Sequence, residues 1–153
     1  MIPKNKVMNK FQLLEKAIRI ASNAHFGQTD KAGMPYIFHP LRVMEQCTSV
    51  EEKIVAILHD TIEDTEITAN RLFNDGFPAY IVEAVQSLTR SENESYEEFI
   101  QRVSQNPLAT KIKIADLQDN LNLSRLDRIT EKDFARIERY IKSLAYLKSK
   151  GGI

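Results

Sequence analysis

The residues able to do chemistry in this chain fall into three separated clusters. His39 comes first, the adjacent pair His59-Asp60 follows with Glu63-Asp64 one helical turn beyond, and Asp116 stands in a third segment. Imidazole nitrogens and carboxylate oxygens together suit Mn, Fe, Co, Ni or Zn, whereas an all-oxygen set points to Mg or Ca. The clusters read as a ligand set of His39, His59, Asp60 and Asp116 around one divalent ion, with positions left open for water and substrate. Glu63 and Asp64 are then close enough to accept a proton from a water whose pKa the cation lowers. Each element has a plainer reading when taken alone. His59-Asp60 can be a polar pair at a helix end, Asp116 a hydrogen-bond hub, and Glu63-Asp64 a solvated turn. Their conjunction in this order favours a hydrolytic metal site. His25, the third histidine, reads as a packed residue of the first helix rather than a ligand.

The elements that must position these groups are helical almost throughout, since strand-like alternation is nearly absent. The first helix is expected over 9–26, with Phe11, Leu14, Ala17, Ile18 and Ala21 on one face. A loop follows over 27–38, broken by Gly33 and Pro35. Pro40 suits the first position of the next helix and puts His39 at its cap, at the positive end of the dipole. A third helix is expected over 51–63, running through His59-Asp60, so that His59 stacks on Glu63 and Asp60 on Asp64. A fourth spans 68–74 and stops at Asp75-Gly76. A fifth opens at Pro78 and lasts to about residue 89, and Ser95 with Glu98 forms a capping box for a sixth. Asn106-Pro107 opens a seventh, which carries Asp116 among Ile112, Ile114 and Leu117, where a charge is costly unless paired or bound to metal. Asn120 shares the face of Asp116 one turn on. Residues 130–133 open the last helix, which runs to about 149. The expectation is an all-α, bundle-like single domain over 9–149, with flexible ends at 1–8 and 150–153.

Composition narrows the function class. The chain has 153 residues, enough for one domain with one core. Lysine plus arginine and aspartate plus glutamate each number 21, so no overall charge draws it to nucleic acid, and DNA or RNA is not an expected partner. No apolar run is long enough for a membrane span or a signal segment. The lone Cys47 follows Leu41, Val43 and Met44 and reads as core filler, and a cytoplasmic location is expected.

Four stretches resemble the HD-type metal-dependent phosphohydrolases, and within them the ppGpp hydrolase domains of the Rel/Spo family and their small stand-alone relatives. They are Ala24-His25-Phe26-Gly27-Gln28, Gly33 through Pro40, Ala56 through Thr65, and Lys113-Ile114-Ala115-Asp116 with Asn120-Leu121. The resemblance covers about residues 10 to 147, and the run from Leu58 to Thr65 is its most specific part. It implies that His39, His59, Asp60 and Asp116 bind the metal, typically manganese. It implies that Glu63 and Asp64 orient and activate the attacking water, and that Lys31 and Asn120 contact the nucleotide. The implied reaction is hydrolysis of ppGpp or pppGpp to GDP or GTP and pyrophosphate. A chain of this length has no room for the synthetase and regulatory regions of long family members, so degradation alone is expected.

Two departures from the family pattern touch substrate recognition. Where the family loop reads Gly-Gln-x-Arg-Lys, this chain has Asp30, a reversal of charge that removes a guanidinium able to stack or to pair with phosphate. Where the family reads Asp-Arg-Leu-His-Asn-x-Arg, residues 117–122 lack both arginines, and Asp119 adds a carboxylate. Arg42, one turn after His39, is read either as a replacement for the lost positive charge at the substrate or as a surface arginine, and Arg125 is a weaker replacement. Asp30 keeps open hydrolysis of another nucleotide phosphate, such as NADPH or a nucleoside phosphate. A non-catalytic metal- and nucleotide-binding sensor is the third reading, against which the Glu63-Asp64 pair counts.

Overall fold

The structure, a computed structural model, describes residues 7–150. Most of the expected flexible ends, residues 1–6 and 151–153 with Gly151-Gly152, lie outside the described residues. Among the described residues the chain forms α1 (Lys10–Ala24), α2 (Phe38–Glu45), α3 (Val50–Leu58), α4 (Thr61–Asp64), α5 (Ala69–Asn74), α6 (Ala79–Ser87), α7 (Tyr96–Val103), α8 (Pro107–Asn120) and α9 (Glu131–Lys150), with a 3₁₀ turn at Leu123–Arg125 before α9. The protein is all-α, as expected; the one β pairing among these residues is an isolated bridge between Thr29 and Pro35.

Local chemistry explains most of the boundaries. Asn9 and Gln12 form a reciprocal cap at the start of α1, Ser49 with Glu52 does the same for α3, and Ser95 with Glu98 for α7. Asn106 caps α8 with Pro107 in its first turn, where the missing N–H costs nothing. Gly76 ends α5 at a φ of 100°, a conformation that L side chains avoid. The buried face of α1 is Leu13, Ala17, Ile20 and Ala21, while Phe11 is exposed. The apolar stripe is therefore rotated from the expected one, toward α3, the helix against which α1 chiefly packs.

α3 is the axis of the fold. It packs against α1, α2, α6 and α8, and Ile54 through Leu58 are essentially inaccessible. A helical stretch apolar all round, as Ile54 through Leu58 is, belongs in a core, and here it brings His59-Asp60 to the floor of a cleft. The expected single helix over 51–63 is in fact two, α3 and α4, with the break at His59-Asp60. Side chains cause the break. The His59 Nδ1 lies 2.6 Å from the Ala56 carbonyl, and the Thr61 hydroxyl donates to the Leu58 carbonyl at 2.8 Å. Those are the carbonyls that the amides of residues 60 and 62 would use in a continuous helix, so the side chains compete with the ladder. His39 likewise lies inside the first turn of α2 rather than at its cap, since Phe38 and His39 already donate to Pro35 and Tyr36.

Because Leu58 is fully buried one residue before this break, Leu58→Ala should lower unfolding stability by about 2–5 kcal/mol. Chemical denaturation is the check, and a loss near zero would mean that α3 is not the packing axis.

Candidate functional site

The clusters from α2, the α3–α4 break and α8 meet on one wall of the cleft. The nearest donor atoms of His39, His59 and Asp60 lie within 4.8 Å of one another, and Asp60 forms a second such group with Glu63 and Asp64. His59 Nε2 is 3.0 Å from Asp60 Oδ2 and 3.3 Å from Asp116 Oδ1, while His39 Nε2 is 2.8 Å from Asp116 Oδ1 and 3.8 Å from Asp60 Oδ2. Ligands about 2.1 Å from a common ion stand about 3.0–3.4 Å apart, close to these spacings.

The state of His59 makes the strongest case for a cation. A carbonyl can only accept, so the contact with Ala56 puts a ring proton on Nδ1, and in the neutral ring Nε2 is the lone pair. That Nε2 is buried and makes no hydrogen bond, despite two carboxylate oxygens nearby. An orphaned buried nitrogen is costly unless something fills the role of partner. The residues present therefore fit a divalent metal.

Electrostatics agree with a crowded, buried cluster. Burial pulls both imidazoles down, but the carboxylates beside them outweigh it: Asp116 and Asp119 raise His39, and Asp60 and Asp116 hold His59 well above its ordinary value. Burial pushes Asp116 up, yet Lys113 and the two histidines hold it well below the usual carboxylate range. Lys113 Nζ donates to Asp116 Oδ2 at 2.8 Å, and Asn120 Nδ2 donates to Oδ1 at 3.2 Å. Asp60 is held down at about 2, against its own desolvation, first by His59. It also accepts from the Tyr36 hydroxyl at 2.5 Å. Asp64 moves the other way. Burial first, then Asp60 and Glu63, raise it to about 6, which suits a group that exchanges protons near neutrality.

The remaining expected residues are placed as follows. Glu63 is exposed at the cavity edge and accepts the Arg90 backbone N–H at 2.8 Å. Lys31 is exposed and lies 3.9 Å from Asp133. Arg42, considered above for the substrate, spends Nε and Nη2 on Asp119 at 2.8 and 3.1 Å. His25 stays outside the cluster: it packs on the Tyr36 ring at 5.0 Å and meets Gln28 through Nδ1 at 2.8 Å. Gln28 in turn donates to the Asp64 carbonyl, tying the loop after α1 to α4.

Two adjoining cavities open from this wall. One, of about 350 Å³, holds Asp60, Glu63, Asp64 and Asp116 beside Arg90, Lys113 and Arg139. The other, of about 290 Å³, runs past Asp30, Lys31 and Arg42 to Leu123, Leu126 and Arg136. Tyr36, His39, Asn120 and Tyr140 line both. Sequence reasoning did not assign Tyr36, Lys113, Arg90 or the α9 residues to the site. Tyr36 and Lys113 sit inside matched stretches and were within reach. Arg136, Arg139 and Tyr140 share one helix face at spacings of three and four, a signal that has meaning only once α9 is known to flank the cleft.

No family model matches the chain. A probable GTP pyrophosphokinase of Mycobacterium leprae is 31% identical over 126 residues, covering 74% of this chain and 16% of that protein. The guanosine-3′,5′-bis(diphosphate) 3′-pyrophosphohydrolase of Aquifex aeolicus is 29% identical over 120 residues, covering 71% and 17%. The bifunctional (p)ppGpp synthase/hydrolase SpoT of Escherichia coli K12 is 32% identical over 128 residues, covering 74% and 18%. A solved structure of a metazoan ortholog of SpoT, described as hydrolyzing ppGpp and playing a role in starvation responses, superposes with a TM-score of 0.70 at 20% identity, covering 99% of this chain and 94% of that one. The chain shares the all-helical fold of that solved structure. Over 71–74% of its length the chain is thus homologous to one segment of SpoT and its GTP pyrophosphokinase relatives. It spans less than a fifth of the length of these curated relatives.

Asp30 is a loop former here. Its Oδ1 accepts the backbone N–H groups of Ala32 and Met34, both at 2.9 Å. Asp30→Arg removes that acceptor, so the gain in nucleotide binding that a restored guanidinium suggests should not appear. Amide hydrogen exchange at Ala32 and Met34 should instead accelerate in this variant; unchanged protection would mean the carboxylate does not shape the loop.

Proposed function

We propose that this protein is a metal-dependent pyrophosphohydrolase that releases pyrophosphate from ppGpp or pppGpp, with manganese as its ion. The observation that carries the proposal is the orphaned His59 Nε2, set among His39, Asp60 and Asp116 and beside the Glu63-Asp64 pair. His39 and His59 hold the ion through nitrogen, and Asp60 and Asp116 hold it through oxygen. The bound cation supplies Lewis acidity toward phosphoryl oxygens and toward the water that attacks.

The rest is done by side chains. Asp64 takes the proton of the attacking water, for which its raised pKa of about 6 is suited. Glu63, fixed to the Arg90 amide, orients that water from the cavity edge. Arg90, Lys113 and Arg139 face the cavity that holds these groups and offset the charge of a diphosphate. Asn120 and Lys31 contact the nucleotide, Asn120 from the wall shared by both cavities and Lys31 from the rim. Tyr140 and the apolar Leu123 and Leu126 offer the second cavity surface for a nucleoside.

A second reading, hydrolysis of another nucleotide phosphate such as NADPH, is favoured by one observation: Asp30 stands at the rim of the nucleotide cavity where the family pattern has arginine. Incubating manganese-loaded protein with ppGpp and with NADPH, and measuring pyrophosphate and orthophosphate separately, decides between them. Pyrophosphate from ppGpp that vanishes with chelator supports the first; orthophosphate from NADPH alone supports the second.

Two variants probe the assignment of roles. His59→Ala should lose metal and activity together, and retained metal stoichiometry would remove it from the ligand set. Glu63→Gln should keep the metal and slow turnover by about 100-fold or more. Single-turnover rates at wild-type speed would exclude Glu63 from the reaction.

A further inference from the structure

Asp119 is a buried carboxylate that the proposed reaction does not use. It is 4% exposed and lies one turn from Asp116 on α8. The two aspartates grip one imidazole from opposite sides: Asp116 Oδ1 meets His39 Nε2 at 2.8 Å, and Asp119 Oδ2 meets His39 Nδ1 at 2.6 Å. Behind Asp119 stands Arg42, bonded to both of its oxygens, with Arg125 Nη2 3.7 Å from Oδ2.

We propose that Asp119 is a positioning residue for the metal, fixing His39 through Nδ1 so that Nε2 is presented to the ion, with Arg42 as the counter-ion that fixes Asp119. The inference rests on the metal reading above. Its physical basis is tautomer control. A histidine that ligates through Nε2 must carry its proton on Nδ1, and an ionised acceptor at Nδ1 secures both the tautomer and the ring angle while raising ligand basicity. Asp119 supplies that acceptor. His59 has the Ala56 carbonyl in the same role, so the two imidazoles are oriented by the same device built from different groups.

The arrangement also accounts for Arg42. A lone buried carboxylate is expensive, and a bidentate guanidinium is the partner that best offsets its desolvation. Burial pushes Asp119 up, but His39 first and then Arg42 hold its carboxyl well below the usual carboxylate range. With Nε and Nη2 committed in this way, Arg42 serves the metal shell rather than the substrate.

The test is Mn²⁺ affinity, measured by chelator competition on wild type and on Asp119→Asn, with circular dichroism melts alongside. The expected result is a 10–100-fold weaker dissociation constant for Asp119→Asn in protein that is still folded. Equal affinity overturns the inference while leaving the metal site intact. Wild type that binds no Mn²⁺ overturns the metal reading itself, and this inference with it. Should Asp119→Asn fail to fold, Asp119→Glu keeps the charge but moves the oxygens, and the same loss is expected. Wild type alone gives an independent readout: in Zn²⁺-loaded protein, His39 should show an exchange-protected, downfield Nδ1 proton by NMR. A ring protonated at Nε2, with Nδ1 bare, overturns the proposal.

Discussion

Burying the Asp116 carboxylate is the constraint that the site depends on. It is 4% exposed, in the middle of a helix whose neighbours are apolar, and a bare charge there would cost several kcal/mol. Lys113 and Asn120 on the same helix donate to it, and the Nε2 atoms of His39 from α2 and His59 beyond α3 stand 2.8 and 3.3 Å from its Oδ1. Each of these groups must arrive at a fixed distance, so α2, α3 and α8 are locked together at this point. The packing of α3 against both α2 and α8 is the apolar counterpart of the same junction. A rigid core and a preorganised site are thus one structural fact.

The cluster is rich in negative charge. Asp60, Asp116 and Asp119 converge with Lys113 and Arg42 as their fixed cations, and Asp64 is raised by desolvation first and then by Asp60 and Glu63. Both histidines are pulled upward because a further positive charge is favourable there. A proton can supply that charge. A divalent ion would supply more of it, which is why a hydrolytic metal reading accommodates the whole set where an ordinary ion-pair network leaves His59 Nε2 without a partner.

Much of this was legible from residue order because the signals were local. Capping pairs such as Ser95-Glu98 and the Asp75-Gly76 stop act through their own backbone, and the structure follows them. The convergence of His39, His59, Asp60 and Asp116 could be read from the conjunction of residue types, since no other use explains all of them together. The break at His59-Asp60 was not legible, because helical periodicity passes through it. It depends on the His59 and Thr61 side chains capturing carbonyls, a competition that hydrophobic pattern does not register. The part Asp30 plays in its own loop was not legible for a related reason. Counted as a charge it looked like a lost phosphate contact, but its oxygen is turned inward to two backbone amides.

The positive charge of the cavity follows from the same distinction between sequence neighbours and spatial ones. Near the metal cluster in sequence the chain carries Asp30 and Asp119, and Arg42 is consumed by the latter. In space the balance is restored from elements far along the chain: Arg90 before α7, and Arg139 on the face of α9 that flanks the cleft. Arg139 also lies 4.3 Å over the Tyr96 ring, and Lys113 lies over Phe99, so these cations are held on aromatic faces rather than left free in solvent. A cation held in this way loses less freedom when an anion arrives, and its field acts in a cleft of low dielectric. The basic side of the site is therefore built by α9 and its packing, while the side carrying the imidazoles and buried carboxylates is built by α2, α3 and α8. The contact between α8 and α9 is what brings the two halves into register.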